Sequence, residues 1–138
     1  MTLELVPLCQ VDITLTDPIL VGEGALGLRM ILEVASGTVT GDRLHGSMMG
    51  HASADWVLMH GTIGALDVRV TFQTDDGAII LASYRGRTDL SPEGGGVIYV
   101  APTFETGDER YAWLNTVQGA GKGTLDGTSL RYDWYELR

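Results

Sequence analysis

Tyr111, Trp113 and Asn115 stand at alternate positions after the sequence Pro102–Gly107. Successive side chains of a strand point to opposite faces, so these three would share one face of an extended segment. Two amphipathic rings and an amide suit the wall of a small-molecule pocket better than plain core or plain surface. We therefore predict that Tyr111–Val117 is a strand. Tyr111 or Asn115 would donate a hydrogen bond to a ligand oxyanion, and Trp113 would stack on the ligand.

Two carboxylates are candidate bases for proton transfer. Asp55 follows a loop rich in glycine and methionine and precedes Trp56, whose ring is a second candidate stacking surface. Asp55 either caps a turn or acts as a base at a pocket mouth. Glu105 lies in a turn beside Phe104, and burial there would raise its pKa towards the range useful for proton transfer.

Asp67 and Arg69 occupy one face of an alternating segment, and Arg29 lies on the polar side of another. One interpretation is a solvent-facing ion pair, which contributes little to stability. The other is that the polar face points into a barrel lumen, where Asp67, Arg69 and Arg29 fix a ligand. The sequence leaves both open.

Four motifs resemble known sites but lack their context. Gly22–Gly27 matches G-x-G-x-x-G, yet no helix follows to hold a pyrophosphate. Gly121–Thr124 lacks the first glycine of a phosphate-binding loop. The three histidines lack the spacing of a common metal site, and Cys9 has no evident base nearby. We expect no cofactor and no metal.

The overall charge excludes several partners. The net charge is −9, and the nine Lys and Arg residues are scattered, whereas a phosphate-binding surface needs them clustered. We therefore expect neither nucleic acid nor an anionic membrane surface as a partner. A single cysteine and no basic, apolar leader at the N-terminus suggest a cytoplasmic protein.

The spacing of apolar residues predicts an all-β chain of 138 residues in one domain. Alternating segments at Leu3–Leu15, Leu26–Val34 and Leu66–Phe72 read as strands, with Pro7 marking an edge or a bulge in the first. Asp75-Asp76-Gly77 predicts a hairpin to the next strand. Further strands are expected at Ala78–Tyr84, Val97–Val100 and Leu130–Leu137.

Other segments read differently. Ser36-Gly37 and Thr40–Asp42 indicate turns, Glu93–Gly96 and Gly119–Gly123 read as loops, and only Ser53–His60 has room for a helical turn or two. Eight to ten strands without a helical layer make a sandwich or a barrel. We favour a single antiparallel β-barrel, because a closed sheet leaves no edges to cover.

In order along the chain, Ala54-Asp55-Trp56, Leu66–Val70, Thr74–Ala78, Pro102–Gly107 and Tyr111–Asn115 together resemble the domain-of-unknown-function 3237 family. The resemblance spans nearly the whole chain. It implies a lipocalin-like barrel with a central cavity, and it points to these positions: Arg29, Asp55, Trp56, Asp67, Arg69, Glu105, Tyr111, Trp113 and Asn115.

The chain departs from the family pattern at one place. Members often carry two aromatic residues and an arginine before the Pro-x-Phe-Glu-Thr-Gly turn, whereas this chain has Val97, Ile98 and Tyr99. The missing arginine argues against an anionic ligand group there, and Tyr99 becomes a substrate-binding candidate. The segment between Asp89 and Gly96 is also short, which implies a trimmed lid.

Three functions fit these residues. The first is a cofactor-independent isomerase, cyclase or lyase acting on a small hydrophobic carbonyl or phenolic molecule, with Asp55 or Glu105 as base and Arg69, Asn115 or Tyr111 as oxyanion donor. The second is a carrier of a small hydrophobic molecule. The third is a solid barrel with no ligand. The Met48-Met49 loop is compatible with a homo-oligomer.

Overall fold

The segment Leu66–Phe72 forms a hairpin with the next strand, as its alternation of apolar and polar residues predicts. Gly77 has a φ of 94°, which glycine tolerates and other residues rarely adopt, and it closes the turn after Asp75 and Asp76. The two strands then pair without interruption from Ile63 opposite Asp89 to Gln73 opposite Ile79. This hairpin is the longest uninterrupted ladder in the molecule.

The computed structural model describes residues 1–138 and contains eleven strands and two 3₁₀ helices. The strands are β1 (Leu5–Leu15), β2 (Ile19–Gly24), β3 (Gly27–Thr40), β4 (His45–Met48), β5 (Ala54–His60), β6 (Ile63–Thr74), β7 (Ile79–Asp89), β8 (Ile98–Val100), β9 (Thr103–Glu105), β10 (Gly119–Asp126) and β11 (Ser129–Leu137). The 3₁₀ helices are Gly50–Ala52 and Glu109–Thr116.

Eight antiparallel strands close into a barrel, which confirms the predicted fold class. Around the ring the order is β3, β1, β11, β10, β8, β7, β6, β5 and back to β3. Strands β2, β4 and β9 are added at the rims, where they pair with β3, with β3 and β6, and with β7. No helix of the chain has the length and apolar composition needed to cross a membrane.

One end of the lumen is solidly packed. The fully buried side chains there include Phe72, Leu44, Leu114 and Trp134. The Trp134 ring meets Phe104 edge-on at 5.7 Å between centroids, a favourable aromatic geometry. The helix Glu109–Thr116 lies beside this end, since it contacts β9 and buries Leu114. The remaining space in the barrel lies towards the other end.

Several sequence-based boundaries were wrong. The segment Tyr111–Val117 is not a strand: residues up to Thr116 belong to a 3₁₀ helix, and Asp108 caps that helix by accepting a hydrogen bond from Arg110 N at 3.0 Å. Ser53–His60 is not helical, since Ala54–His60 pairs with strands on both sides. Strand β3 continues through Ser36-Gly37 instead of turning there.

Gly119–Gly123 is a strand and not a loop, for a reason specific to its neighbours. Gly121 lies opposite Trp134 and Gly123 opposite Tyr132 in the β10–β11 ladder. A Cβ at Gly121 would lie 2.6 Å from Trp134 Cδ1. The glycines therefore leave room for two large rings, and those rings cover the bare strand.

The Pro7 prediction is confirmed. The β1–β11 register shifts between Pro7 and Cys9, so Leu8 forms an irregularity at this point. Leu8 and Cys9 are both buried, and from there Val11 and Ile13 face the core. Leu5, before the shift, is exposed.

Candidate active site

The open part of the lumen is a cavity of about 220 Å³ with mainly apolar walls. Strands β3, β5 and β6 contribute Met30, Leu32, Val57 and Leu66 to those walls. The segment between β7 and β8, with Leu90, Gly95 and Gly96, covers one side. Four polar side chains interrupt this lining: Asp55, Thr88, Thr124 and Tyr132.

The Asp55 side chain points into the lumen because it lies on the same face of its strand as two apolar residues. Asp55, Val57 and Met59 alternate along β5, and all three line the cavity. The backbone N–H of Asp67 donates to Asp55 Oδ1 at 3.1 Å. Between the pairs Asp55–Val68 and Leu58–Ala65 the β5–β6 ladder is interrupted, and this side-chain bond occupies the gap. The carboxylate is thereby held in a fixed position.

Burial raises the pKa of Asp55 to about 7. Removal of water from the carboxylate is the largest cause, the hydrogen bond from the Asp67 backbone opposes it, and the nearby Asp67 charge adds a smaller increase. The positive charge of Arg29 lowers the pKa slightly. Near neutral pH, Asp55 can therefore both accept and release a proton.

Tyr132 supplies a hydroxyl in the same cavity. Its ring is fully buried, and its Oη lies close to the Tyr84 hydroxyl without making a hydrogen bond of good geometry, which is a costly state for a buried hydroxyl. Burial and then the negative charge of Asp55 raise the pKa of Tyr132, so the hydroxyl keeps its proton near neutral pH. The hydroxyl lies just beneath the cavity wall, so a small movement of the ring would present its proton to a bound molecule.

Tyr84 lies behind these two groups. It shares the narrow inner end of the lumen with Asp55 and Tyr132, and its ring meets the Tyr132 ring edge-on at 5.9 Å. Burial, and after it the close approach of the Tyr132 hydroxyl and the negative charge of Asp55, raise the pKa of Tyr84. Asp55 and two protonated tyrosines thus form the polar end of an apolar cavity.

Thr88 marks the opposite end. Its Oγ1 is shielded from water and makes no hydrogen bond. Its Cγ2 lies on the side of Gly64, where a Cβ would come within 2.8 Å. Among the side chains that line the cavity, Thr88 Oγ1 and Tyr132 Oη are the two buried hydroxyls without a partner.

Four of the predicted site residues lie on the outer face of the barrel. Asp67 and Arg69 are exposed on β6, and Trp56 is 40% exposed on β5. Arg29 Nη1 donates to the Trp56 carbonyl at 2.9 Å. Trp56 and Arg69 share an outer groove of about 430 Å³ and do not reach the lumen. The polar strand faces therefore point outwards.

The helix Glu109–Thr116 carries three further predicted residues, and each has a partner in the protein. Tyr111 Oη donates to Asp76 Oδ1 at 2.9 Å. The Arg43 guanidinium lies 4.5 Å from the centre of the Trp113 ring. Asn115 binds both the N–H and the carbonyl of Thr106, at 2.9 and 3.1 Å. None of the three lines the cavity.

Glu105 and Tyr99 are exposed as well. Glu105 lies on the rim strand β9 with its side chain exposed, outside the lumen. Tyr99 is 58% exposed on β8, with Lys122 Nζ 5.9 Å from its ring centre. Of the ten residues predicted from the sequence, Asp55 alone lines the lumen.

The sequence reasoning missed Tyr84, Thr88 and Tyr132. Each alternates with apolar residues on an inward face, as in Leu130-x-Tyr132-x-Trp134, and such tyrosines read as core. One signal was present: Asp55-x-Val57-x-Met59 places a carboxylate on an apolar strand face. Treating that segment as helical hid the signal.

Other groups do not form a second site in the lumen. No three His, Cys, Asp or Glu side chains come together as metal ligands. Burial raises the pKa of the Cys9 thiol to about 12, so it stays protonated. A larger groove of about 720 Å³ is open to solvent between β1, β3 and β4 on one side and the β10–β11 hairpin on the other. It shares Thr124 and Leu130 with the cavity, but neither Asp55 nor Tyr132 lines it.

Solved structures with the same fold have been found in bacteria and a fungus. A β-barrel-like protein of Acinetobacter baumannii AYE is 27% identical and superposes with a TM-score of 0.92, covering 100% of this chain and 98% of that one. An enzyme from Penicillium herquei is 24% identical with a TM-score of 0.72, covering 98% and 93%. The second likeness establishes the fold alone.

Sequence comparison gives relatives of two kinds. The hydroalkoxylation enzyme phnH of Penicillium herquei is 31% identical over 94 residues, which are 68% of this chain and 56% of phnH. This chain thus spans little more than half of that enzyme. A UPF0311 protein of Bradyrhizobium diazoefficiens is 29% identical over 111 residues, 71% of this chain and 72% of the relative. Residues 3–137 match the family described as protein of unknown function (DUF3237), and the chain belongs to that family.

Proposed function

We propose that this protein is a cofactor-independent enzyme that moves protons on a small hydrophobic carbonyl or phenolic molecule bound in the barrel. The observation that carries the proposal is the pairing of Asp55 with the unpartnered Tyr132 hydroxyl in one apolar cavity. A base and a hydrogen-bond donor are the two tools that proton transfer next to a carbonyl requires.

The reaction class that fits best is addition of a hydroxyl across a carbon–carbon double bond conjugated to a carbonyl. The Asp55 carboxylate takes the proton of the attacking hydroxyl as its oxygen bonds to the β-carbon. The π electrons move to the carbonyl oxygen, which accepts a hydrogen bond from Tyr132 Oη. The Asp55 carboxyl then returns the proton to the α-carbon. The sequence of steps is redox-neutral and regenerates Asp55.

The relative phnH supports this choice among the isomerase, cyclase and lyase alternatives. Its name describes hydroalkoxylation, which is the addition of an O–H group to an alkene, and it aligns with 68% of this chain. The same two groups, acting in reverse order, would catalyse the elimination. A substrate carrying both the hydroxyl and the alkene would cyclise.

The cavity limits the size of the substrate. Its volume of about 220 Å³ lies below the ~300–1,000 Å³ typical of drug-sized ligands. The walls are apolar apart from four side chains, so most of the substrate surface is hydrocarbon or aromatic ring. The structure therefore favours one small ring system over a long chain or a sugar.

The first experiment is turnover of hydroxyaryl enones with a single ring, such as 1-(2-hydroxyphenyl)but-2-en-1-one, followed by NMR and mass spectrometry in D₂O. Wild-type protein is expected to form the cyclic ether with deuterium at the α-carbon. Asp55→Asn keeps the shape and the acceptor oxygen but has no base, so its rate should fall by about 10²-fold or more. Asp133→Asn removes an exposed carboxylate on β11 and is the matched control.

The rate should also rise with pH through about 7, because the ionised Asp55 is the base. A panel of hydroxyaryl enones and related phenols that bind without any conversion would contradict the enzyme proposal. That result would leave a carrier of small hydrophobic molecules, and binding would then survive in Asp55→Asn. Equal turnover by Asp55→Asn and wild type would exclude Asp55 as the base.

A further inference from the structure

The register of strands β5, β6 and β7 separates the Thr88 hydroxyl from the Asp55 carboxylate. Asp55 pairs with Val68, and Val68 pairs with Tyr84, so these residues form one layer of the barrel. Tyr132 shares the narrow inner end of the lumen with that layer. The base and its hydrogen-bond donor therefore belong to the same end of the cavity.

Thr88 belongs to a different layer. Met59 pairs with Gly64, and Gly64 pairs with Thr88, which places this layer four residues further along each strand. At ~3.3 Å per residue, the two layers are about 13 Å apart along the strands. The space between them is walled by apolar side chains, among them Val57 and Leu66.

A buried hydroxyl without a partner loses its hydrogen bonds to water and gains none in the protein. Such groups are rare in folded proteins and call for an explanation. Thr88 Oγ1 is in this state at the wall of a cavity that can hold a ligand. A change of χ1 rotamer redirects this hydroxyl without moving the backbone.

We propose that Thr88 determines substrate specificity by binding a second polar atom of the substrate, remote from the reacting group. The substrate is then a ring-containing molecule with two polar ends, the outer one a hydroxyl or carbonyl oxygen that bonds to Thr88 Oγ1. This inference rests on the proposed function, because it takes the lumen as the substrate site. It adds the substrate class, namely rigid phenols or enones that carry a second oxygen at the far end.

The test compares two probes that differ at one end. The first is 2,6-dihydroxynaphthalene, and the second is 6-methyl-2-naphthol, in which a methyl group replaces one hydroxyl. Dissociation constants are measured by titration calorimetry with the full chain. Wild-type protein should bind the diol about fivefold to tenfold more tightly, which is the usual worth of one hydrogen bond.

In Thr88→Val, which has the same shape without the hydroxyl, the two probes should bind equally. Thr88→Ser keeps the hydroxyl and should keep the preference, which separates the hydrogen bond from any packing effect. If Thr88→Val fails to fold, Thr88→Ala and Thr88→Ser provide the same comparison, and thermal unfolding confirms that each is folded.

An unchanged preference in Thr88→Val, or no binding of either naphthol at about 1 mM, would overturn the inference. Asp55→Asn distinguishes this failure from failure of the proposed function. That variant should lose turnover and retain the probe preference, because Asp55 lies in the other layer. Turnover that depends on Asp55, together with no effect at Thr88, would refute the inference and leave the proposed reaction intact.

Discussion

Asp55 combines two properties that oppose each other. Its carboxyl group lies in an apolar lumen, which favours the neutral form, yet the Asp67 N–H holds one of its oxygens as an acceptor. A carboxylate in such a place lowers the stability of the folded protein once it ionises. Retention of a destabilising group at a cavity wall is typical of a functional site.

This opposition gives a prediction for stability against pH. The pKa of Asp55 is 3.8 in the ordinary case and about 7 in the folded protein. Between these values the folded state holds a proton that the unfolded chain has released, so stability falls as pH rises from about 4 to about 7. Above pH 7 the folded protein has lost this contribution, roughly 2–4 kcal/mol.

Asp55→Asn does not titrate and should escape that loss. We expect it to match the wild type near pH 4 and to be more stable by roughly 2–4 kcal/mol at pH 8, as measured by urea unfolding. Asp76, Asp89, Asp108 and Glu136 have lowered pKa values, which give the opposite slope at lower pH, but they titrate equally in both proteins. Parallel pH profiles for the two proteins would show that Asp55 is ionised throughout.

At the scale of single residues, the sequence indicated Asp55 but not its companions. A carboxylate draws attention wherever it stands, whereas Tyr84, Tyr132 and Thr88 look like ordinary members of apolar strands. Their importance arises from hydroxyls that lack partners, and partners depend on which strands become neighbours around the barrel. Conversely, Asn115 and Tyr111 looked available, but Thr106 and Asp76 occupy their polar groups.

Among the elements, β10 shows how one strand constrains another. Gly121 and Gly123 face the lumen beneath Trp134 and Tyr132, the two largest fully buried side chains of the protein. A Cβ on Gly123 would lie 2.3 Å from Tyr132 Cδ1. The bare backbone of β10 therefore fixes where the Tyr132 ring, and with it the hydroxyl, can sit.

Gly123→Ala should consequently disturb both stability and the site. We expect a loss of about 1–3 kcal/mol in the free energy of unfolding, since overpacking forces the ring or the backbone to move. Turnover should fall as well, because Tyr132 Oη shifts away from Asp55. Lys122→Ala, on the outward face of the same strand, should change stability by less than about 0.5 kcal/mol. Full stability of Gly123→Ala would mean that the Tyr132 ring has room to shift.

Regular hairpins were predictable and irregular elements were not. The alternation of Leu66–Phe72 and the Asp-Gly turn contain all the information that β6 and β7 need. The glycine-rich segment β10 could not be predicted as a strand, because the rings that cover its glycines belong to β11, later in the sequence. The helix Glu109–Thr116 forms because Asp108 caps it, and a period-two pattern of aromatic residues concealed that cap.

For the whole molecule, the barrel is least firmly closed at β8. This strand has three residues, and it alone joins β7 to β10 in the ring, through pairs such as Thr88–Ile98 and Gly123–Ile98. By contrast, β6 and β7 pair over their full lengths. The segment beside β8 also covers the cavity with Leu90, Gly95 and Gly96. We call this connection of β7 to β10 through three residues the β8 seam, and we expect a substrate to enter the lumen there.

Hydrogen exchange followed by mass spectrometry tests the seam. Peptides that cover 97–101 should exchange at least about tenfold faster than those covering 66–72, because local opening of a short strand costs less than global unfolding. Saturating 2,6-dihydroxynaphthalene should slow exchange at 90–101 more than at β1 and β11, which pair over nine positions far from the covering segment.

Uniform exchange across all strands would show that the ring opens only by global unfolding. Protection centred on the β2–β3 hairpin would instead place the entrance at the opposite side of the cavity.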